Sequence, residues 1–257
     1  MYPPLLASNR HDNVLIIGGG DGLALRDVLK WPVKEVTLID LDAQLLSLFG
    51  HDDDEFNPPA AIHERLTKLN KHSMADPRSH IKVGDAFLEV ERLLDEGKRF
   101  DTIIIDLPDP NHPDLNKMYS DYFYNHIRQL LAADGAMAVQ STSPYHAKKA
   151  FLSIGKTVKA AGFKHVEQYQ QNIPSFGQWG WTIATTTGQS ASARISDITS
   201  LPVASRWISK KYLLAAFVFP NHYFEQINDI EVNQLGSGTL YDYYRSAWQI
   251  ESELYKN

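Results

Sequence analysis

Residues 14–22 read VLIIGGGDG and constrain the fold of this 257-residue chain more than any other stretch. Four apolar residues precede three consecutive glycines, an aspartate and a fourth glycine. Because LALRDVLKW follows with a helical pattern, the stretch predicts a strand, a tight turn and a helix. Gly18, Gly20 and Gly22 can adopt backbone conformations that a Cβ atom forbids, and they let a ligand approach the main chain. The stretch therefore predicts a nucleotide or nucleoside site.

Asp40 strengthens this interpretation. It ends the next apolar segment, Val36 to Ile39, and lies 22 positions after Gly18. An acid at the tip of the second strand of a Rossmann-like sheet can accept hydrogen bonds from both ribose hydroxyls. The alternative is a purely structural glycine turn with Asp40 as a helix cap, but Asp42 is better placed to cap the following helix.

Composition and charge argue against several classes of protein. The chain has no cysteine, which excludes disulfides and thiolate chemistry. Its formal net charge of −6 argues against a nucleic-acid partner. The ten histidines lack the short spacings of a zinc site, so no metal is expected. Because the apolar run Leu213 to Phe219 is too short for a membrane span and no signal peptide is recognised, a cytoplasmic location is expected.

Strand and helix patterns alternate along the chain. After the first two strands, further strands are predicted at His80 to Val83, Phe100 to Ile105, Ala136 to Gln140, Phe163 to Ile173 and Trp179 to Thr187. Helices are predicted at 23–30, 42–49, 60–69, 87–94, 120–133, 146–161, 207–219 and 240–254, with a surface loop at 51–59 and little structure in residues 1–13. This order predicts an α/β fold with a Rossmann-like doubly wound sheet, mostly parallel with an antiparallel edge hairpin. We assign residues 1–188 to this domain and residues 189–257 to a largely helical C-terminal extension packed on it.

Aspartates follow the third and fourth predicted strands. Asp85, in the segment GDA, can reach the exocyclic amine of an adenine at the carboxyl edge of the sheet, or it can cap the next helix, and these roles are compatible. Asp106 and Asp109 lie in DLPDP, directly after the most β-branched strand. Two carboxylates over a cleft at a strand end are candidates for function, although both could instead cap a turn.

Together, GGGDG, Asp40 in LIDLD, GDA at Gly84 to Ala86 and DLPDP resemble the spermidine synthase family of aminopropyltransferases. The resemblance continues through YSDYFYNHIRQLLAADGAMAVQSTSP to IPSFGQWGW, so it covers most of residues 14–187. It implies a sheet of the class I methyltransferase type. The C-terminal stretch is similar to bacterial homologues whose catalytic domain is fused to membrane helices. This sequence carries neither such helices nor the amino-terminal β-hairpin domain of the family.

In that family these motifs hold decarboxylated S-adenosylmethionine, which is a co-substrate and not a cofactor, and a polyamine acceptor. The resemblance thus implies conversion of putrescine to spermidine with release of methylthioadenosine, and it allows a homodimer. The implied donor-binding residues are Gly18 and Gly20 in the glycine turn, Asp21 for the aminopropyl amine, Asp40 for the ribose, and Asp85 with Ala86 for the adenine. Asp106 would receive or orient the proton of the acceptor amine, and Asp109 would bind an ammonium group. Tyr119 and Gln178 are further candidates for substrate binding.

The charge pattern agrees with this chemistry. A pocket ringed by aspartates attracts the sulfonium and ammonium groups of such a donor and the ammonium groups of a diamine. Asp21 should repel the carboxylate of ordinary S-adenosylmethionine. Phe176 stands where the family tends to have a tyrosine, which leaves the acceptor open among putrescine, cadaverine, spermidine and agmatine. A methyltransferase, an NAD-dependent dehydrogenase and a catalytically silent polyamine-binding domain are the alternatives.

Overall fold

The computed structural model describes residues 1–51 and 58–254, and within them seven strands form one sheet. In chain order the strands are β1 (Asn13–Gly18), β2 (Glu35–Asp40), β3 (Ser79–Val83), β4 (Phe100–Asp106), β5 (Leu131–Gln140), β6 (His165–Ile173) and β7 (Gly177–Thr185). Their order across the sheet is β3-β2-β1-β4-β5-β7-β6. The first five strands pair in parallel, and β7 pairs antiparallel with β5 and β6. The predicted doubly wound sheet with an antiparallel edge hairpin is confirmed.

Helices cover the sheet. The α-helices are α1 (Tyr2–Ala7), α2 (Leu23–Val28), α3 (Ala43–Leu48), α4 (Ala60–Leu69), α5 (Ala86–Asp95), α6 (Asp121–Leu130), α7 (Lys148–Ala160), α8 (Ala191–Asp197), α9 (Lys210–Ala215) and α10 (Thr239–Leu254). Short 3₁₀ helices occupy Ser73–Ala75, Pro113–Tyr119 and Glu225–Asp229. Most of the loop predicted at 51–59 lies outside the described residues. In the described part of the chain, no helix combines the length and the apolarity needed to cross a membrane.

Strands β1 and β4 lie side by side at the centre of the sheet. Their apolar runs, VLII and the isoleucines of FDTIII, are buried because helices cover both faces of a parallel sheet. From β1 the chain moves outward through β2 to β3 and then returns to β4 on the other side of β1. A crevice opens at the carboxyl ends of the strands where the strand order reverses, which is where open α/β sheets bind ligands.

The prediction of little structure for residues 1–13 is wrong. All six residues of α1 are buried, and Leu5 is completely inaccessible. Prolines at positions 3 and 4 suit the first turn of a helix, where the backbone N–H has no intrahelical partner. The hydroxyl of Ser8, 2.8 Å from the carbonyl oxygen of Asp101, accepts hydrogen bonds from the Thr102 hydroxyl (2.8 Å) and the Ala136 N–H (3.1 Å). These bonds attach the end of α1 to β4 and β5.

Several other elements differ from the sequence prediction. The helix predicted for 120–133 ends at Leu130, and β5 begins at once and contains Gly135. A Cβ atom at Gly135 would lie 2.5 Å from the carbonyl oxygen of Asp101, so the glycine permits close approach of β4 and β5 and does not end the helix. The helix predicted for 207–219 shrinks to α9, and α8 forms where no helix was predicted. The domain boundary at 188 stays a prediction.

We predict that Ser8→Ala lowers the free energy of unfolding by about 1–3 kcal/mol, because it leaves the buried Ala136 N–H without this acceptor. Thermal or denaturant unfolding measures the loss. The matched control is Ser246→Ala on the exposed side of α10, which should change stability by less than about 0.5 kcal/mol. Equal stability of the two variants would contradict the proposed role of Ser8 in docking α1.

Candidate active site

A cavity of about 970 Å³ lies in the crevice at the carboxyl ends of β1 to β4. Its walls come from four segments that directly follow these strands, at 18–21, 39–42, 84–86 and 106–108, and from the 3₁₀ segment near Leu115. The glycine turn, Asp40, the GDA segment and the start of DLPDP therefore face one space. We call this space the first cavity.

The glycine turn approaches its neighbours too closely for any side chain. Gly18 has a φ of +82°, and a Cβ atom there would lie 2.2 Å from the carbonyl oxygen of Asp106. The N–H of Gly20 donates to Asp40 Oδ2 at 2.9 Å, and a Cβ on Gly20 would lie 2.9 Å from that same oxygen. The N–H of Asp42 donates to the other oxygen, Asp40 Oδ1, at 2.9 Å. Two backbone donors thus fix the orientation of the Asp40 carboxylate at the rim of the cavity.

Asp21 and Asp42 also line the first cavity, with different local roles. Asp21 Oδ1 accepts a hydrogen bond from the Leu23 N–H at 2.9 Å, which holds the carboxylate at the start of α2. Asp42 caps α3 by accepting from the Leu45 N–H, as the sequence predicts. Both carboxylates remain able to bind a cation.

Asp85 is paired with a cation that sequence analysis did not find. Its Oδ1 accepts from the Phe87 N–H and caps α5, as predicted, and its Oδ2 accepts from Lys117 Nζ at 2.6 Å. Burial opposes ionisation, but these hydrogen bonds and the Lys117 charge hold the pKa of Asp85 below its usual value. Ala86, predicted to contact an adenine, lies beside it in the cavity wall. No local pattern marks Lys117, because it lies 32 residues from Asp85 in the sequence.

The first cavity is acidic. Among the described residues, six aspartates and a single lysine line it; the aspartates are Asp21, Asp40, Asp42, Asp85, Asp106 and Asp114. The lysine is the partner of Asp85, so the remaining carboxylates give the cavity an excess of negative charge. Such a space favours a ligand that is positively charged.

A second cavity of about 430 Å³ adjoins the first. Asp106, Leu107 and Pro108 line both spaces, so this short loop is their common wall. The rest of the second cavity combines Asp109 with aromatic side chains, namely Phe176, Trp179, Trp181 and Tyr244. An apolar cavity with two carboxylates suits a cationic ligand with an aliphatic body.

Neutral donors hold Asp109 in place. Gln140 Nε2 donates to Asp109 Oδ1 at 2.7 Å, and the Thr142 hydroxyl donates to Oδ2 at 3.2 Å. Thr142 has a φ of +58°, which is rare for a β-branched residue and is typical of functional sites. Its carbonyl accepts from the Gly180 N–H at 2.8 Å, which ties this strained residue to β7. Sequence analysis assigned no role to Gln140 or Thr142, although a polar run after a buried strand was the available signal.

The pKa values of both carboxylates of the DLPDP loop are raised. The Asp106 carboxylate faces the two cavities, but protein atoms surround its other sides. Because they remove water from the carboxylate, they raise the pKa of Asp106. The negative charge of Asp21 adds to the effect, and the Met1 ammonium opposes it. Burial also raises the pKa of Asp109, against the hydrogen bonds from Gln140, Tyr244 and Thr142. A carboxylate with a raised pKa is a stronger base, so Asp106 is the best candidate to accept a proton at the boundary of the two cavities.

Two predicted substrate-binding residues lie outside both cavity walls. Tyr119 is fully buried, and its hydroxyl donates to the carbonyl oxygen of Pro108 at 2.8 Å. It therefore holds the DLPDP loop from behind. Gln178 is exposed, and its Nε2 donates to Gln170 Oε1 at 2.9 Å. Since side chains alternate along a strand, it lies on the face of β7 opposite Trp179.

The model of the spermine/spermidine synthase domain family matches residues 2–196. The chain belongs to this family. Relatives include a polyamine aminopropyltransferase of Shewanella oneidensis, 49% identical over 248 residues, and polyamine aminopropyltransferase 1 of Streptomyces coelicolor, 37% identical over 250 residues. The two alignments cover 96% and 97% of this chain but 43% of each relative. The chain thus spans less than half the length of these curated relatives.

Solved structures of the family share the fold. A spermidine synthase in complex with the transition-state analogue AdoDATO aligns with a TM-score of 0.74 at 22% identity, over 88% of this chain and 73% of the other. The spermidine synthase of Thermotoga maritima aligns with a TM-score of 0.72 at 22% identity, over 88% of this chain and 72% of the other. At this level of identity the alignments establish the class I methyltransferase-like sheet expected from the sequence.

We predict that Gly18→Ala strongly destabilises the chain, because the new Cβ would collide with the Asp106 backbone. Gly97→Ala is a matched control, since Gly97 also has a positive φ (+70°) but nothing lies within 4 Å of its Cβ position. The control should lose only the roughly 1–2 kcal/mol of the left-handed conformation. Thermal unfolding compares the two variants, and equal losses of stability would show that the close approach at Gly18 is unimportant.

Proposed function

We propose that this chain carries the catalytic site of a polyamine aminopropyltransferase. It would transfer the aminopropyl group of decarboxylated S-adenosylmethionine to an amine acceptor, with putrescine to spermidine as the expected case, and release methylthioadenosine. The donor is a co-substrate, not a resident cofactor. One observation carries the proposal: two acidic cavities meet at Asp106, a carboxylate of raised pKa. Family membership and the names of the relatives support it.

The first cavity suits the donor. Asp40 at the tip of β2 would bind the ribose hydroxyls, and the segment of Asp85 and Ala86 would contact the adenine. Asp21, in the glycine turn beside Asp106, would bind the ammonium of the aminopropyl group. The pairing of Asp85 with Lys117 cancels the negative charge at the adenine end of the cavity. The net negative charge that remains lies near the reacting groups.

The second cavity suits the acceptor. Its amine would bind at Asp106 and a second ammonium group at Asp109, while the aromatic walls contact the methylene groups. The neutral amine nitrogen of the acceptor attacks the methylene carbon of the aminopropyl group that is bonded to sulfur. A C–N bond forms as the C–S bond breaks, and the electron pair of that bond neutralises the sulfonium. Asp106 takes the proton that the new ammonium must lose, so this chain contributes positioning and proton transfer.

The charge of the preferred donor distinguishes an aminopropyltransferase from a methyltransferase. Ordinary S-adenosylmethionine would bring its carboxylate toward Asp21 and Asp106, whereas the decarboxylated form brings only positive charge. The decisive assay incubates the protein with decarboxylated donor and a panel of amines and measures methylthioadenosine. Product that depends on amine supports aminopropyl transfer. Turnover of the ordinary donor alone, with S-adenosylhomocysteine as product, would contradict it.

We predict that Asp106→Asn lowers kcat by roughly 10²–10⁴-fold, the usual contribution of a general base. The asparagine keeps the shape of the side chain, so binding of the decarboxylated donor should persist in calorimetry. Asp114→Asn, in the same cavity wall but on an exposed aspartate, is the control and should retain activity. Unchanged turnover in Asp106→Asn would remove this residue from the mechanism.

The same substitution should stabilise the fold at neutral pH. The pKa of Asp106 is raised from 3.8 on folding, so its ionised form is disfavoured in the folded chain. The fold is destabilised by this charge at pH values above the pKa of Asp106 in the folded chain. The destabilisation is absent at pH values below its pKa in the unfolded chain. We therefore expect Asp106→Asn to melt at a higher temperature than the parent at pH 7, with a smaller difference as the pH falls toward 3.8.

We also predict that Asp21→Asn shifts the acidic limb of kcat to lower pH. The Asp21 charge raises the pKa of Asp106, so its removal lets Asp106 ionise at a lower pH. The measurement is kcat against pH at saturating donor, which separates this effect from weaker donor binding. Asp114→Asn should leave the limb in place, and a limb that stays fixed in Asp21→Asn would contradict the coupling.

A further inference from the structure

The second cavity has a partition at its far side. A third cavity of about 320 Å³ lies beyond it, lined by Asn111, Tyr241, Tyr244, Arg245, Trp248 and Gln249. Asn111 and Tyr244 also line the second cavity. These two side chains therefore stand between the two spaces, and Tyr244 is the larger of them.

A buried polar network fixes the start of the helix that carries Tyr244. Asn233 is fully buried, and its Nδ2 donates to the carbonyl oxygens of Asn116 and Tyr119 at 3.0 and 3.1 Å. Its Oδ1 accepts from the N–H of Leu240, at the start of α10, at 3.3 Å. Tyr119 in turn holds the DLPDP loop through Pro108. The network sets α10, and with it Tyr244, at a defined position relative to Asp109.

The two sides of Tyr244 differ in charge. The second cavity has the carboxylates of Asp106 and Asp109, enough for two ammonium groups. The described residues of the third cavity include one charged side chain, the cation of Arg245, which lies 5.7 Å from the Tyr241 ring centroid. A third ammonium group entering this space would meet a like charge and no described carboxylate.

We propose that Tyr244 is a specificity-determining residue that ends the acceptor site, so that the site takes a diamine and excludes a triamine. This inference rests on the proposed aminopropyl transfer. Tyr244 lies outside residues 2–196, so the matched family domain does not include it. The C-terminal extension thus sets the length of the acceptor.

Tyr244 has a second contact that must be separated from this role. Its phenol is within hydrogen-bonding reach of the Asp109 carboxylate. Tyr244→Phe removes that bond and keeps the ring, so it should change KM for the diamine but not the selectivity for chain length. Tyr244→Ala removes the ring and should join the two cavities.

The test compares kcat/KM for putrescine and spermidine as acceptors, using the whole 257-residue chain and saturating decarboxylated donor. In Tyr244→Ala we expect the spermidine-to-putrescine ratio to rise by about tenfold or more, the usual effect of opening an apolar pocket. Arg245→Gln in that background should raise the ratio further. Tyr241→Ala is the matched control, because Tyr241 lines only the third cavity, and its ratio should equal that of the parent.

Tyr244→Leu provides the same comparison if the alanine variant does not fold. Donor binding measures folding in every variant, since Tyr244 does not line the first cavity. If the parent turns over the diamine but the spermidine-to-putrescine ratio is unchanged in Tyr244→Ala or Tyr244→Leu, the role of Tyr244 is overturned and the proposed function is not. A parent protein that forms no methylthioadenosine with any amine overturns the proposed function and this inference together.

Discussion

The parallel pairing of β1 with β4 is the constraint on which the site depends. Gly18 lies opposite Asp106 in this pair, and only a residue without a Cβ atom fits against the Asp106 carbonyl. The contact brings the glycine turn and the DLPDP loop to the same edge of the sheet. Since β2 pairs with the other side of β1, Asp40 joins them, and its carboxylate accepts from Gly20. The first and second cavities both take their position from this strand pair.

Charge is distributed unevenly along the two cavities. Asp85 is neutralised by Lys117, whereas Asp109 is held by the neutral side chains of Gln140 and Thr142. Neutral donors orient a carboxylate without cancelling its charge. The part of the site near Asp85 is thus electrically balanced, and the part near Asp106 and Asp109 stays negative. Desolvation of Asp106, with a smaller contribution from the Asp21 charge, raises the pKa of Asp106, which costs stability and favours proton acceptance.

Elements outside the sheet support the site from behind. Tyr119 fixes the carbonyl of Pro108, and Asn233 fixes both Tyr119 and the start of α10. These contacts join the DLPDP loop to the C-terminal helix through buried hydrogen bonds, which are costly to break. The C-terminal helix α10 therefore contributes to the wall of the second cavity through Tyr244.

The sequence by itself determined the sheet and most of the first cavity. Local patterns mark the strands, and the carboxyl ends of neighbouring parallel strands meet at one edge, so Asp21, Asp40, Asp85 and Asp106 could be placed together before any coordinates. The tertiary structure decided what depends on contacts between distant segments. Burial of α1 arises from packing on α8, β4 and β5, and the pairing of Lys117 with Asp85 spans 32 residues. Gln140 donates to Asp109, whereas Gln178 lies on the face of β7 opposite Trp179 and donates to Gln170, because alternation along a strand decides which face a side chain occupies. Tyr244 lines the second cavity because α10 packs on the core through Leu240 and is held at its start by the buried Asn233, and the hydrogen bonds of Asn233 join segments that lie far apart in the sequence.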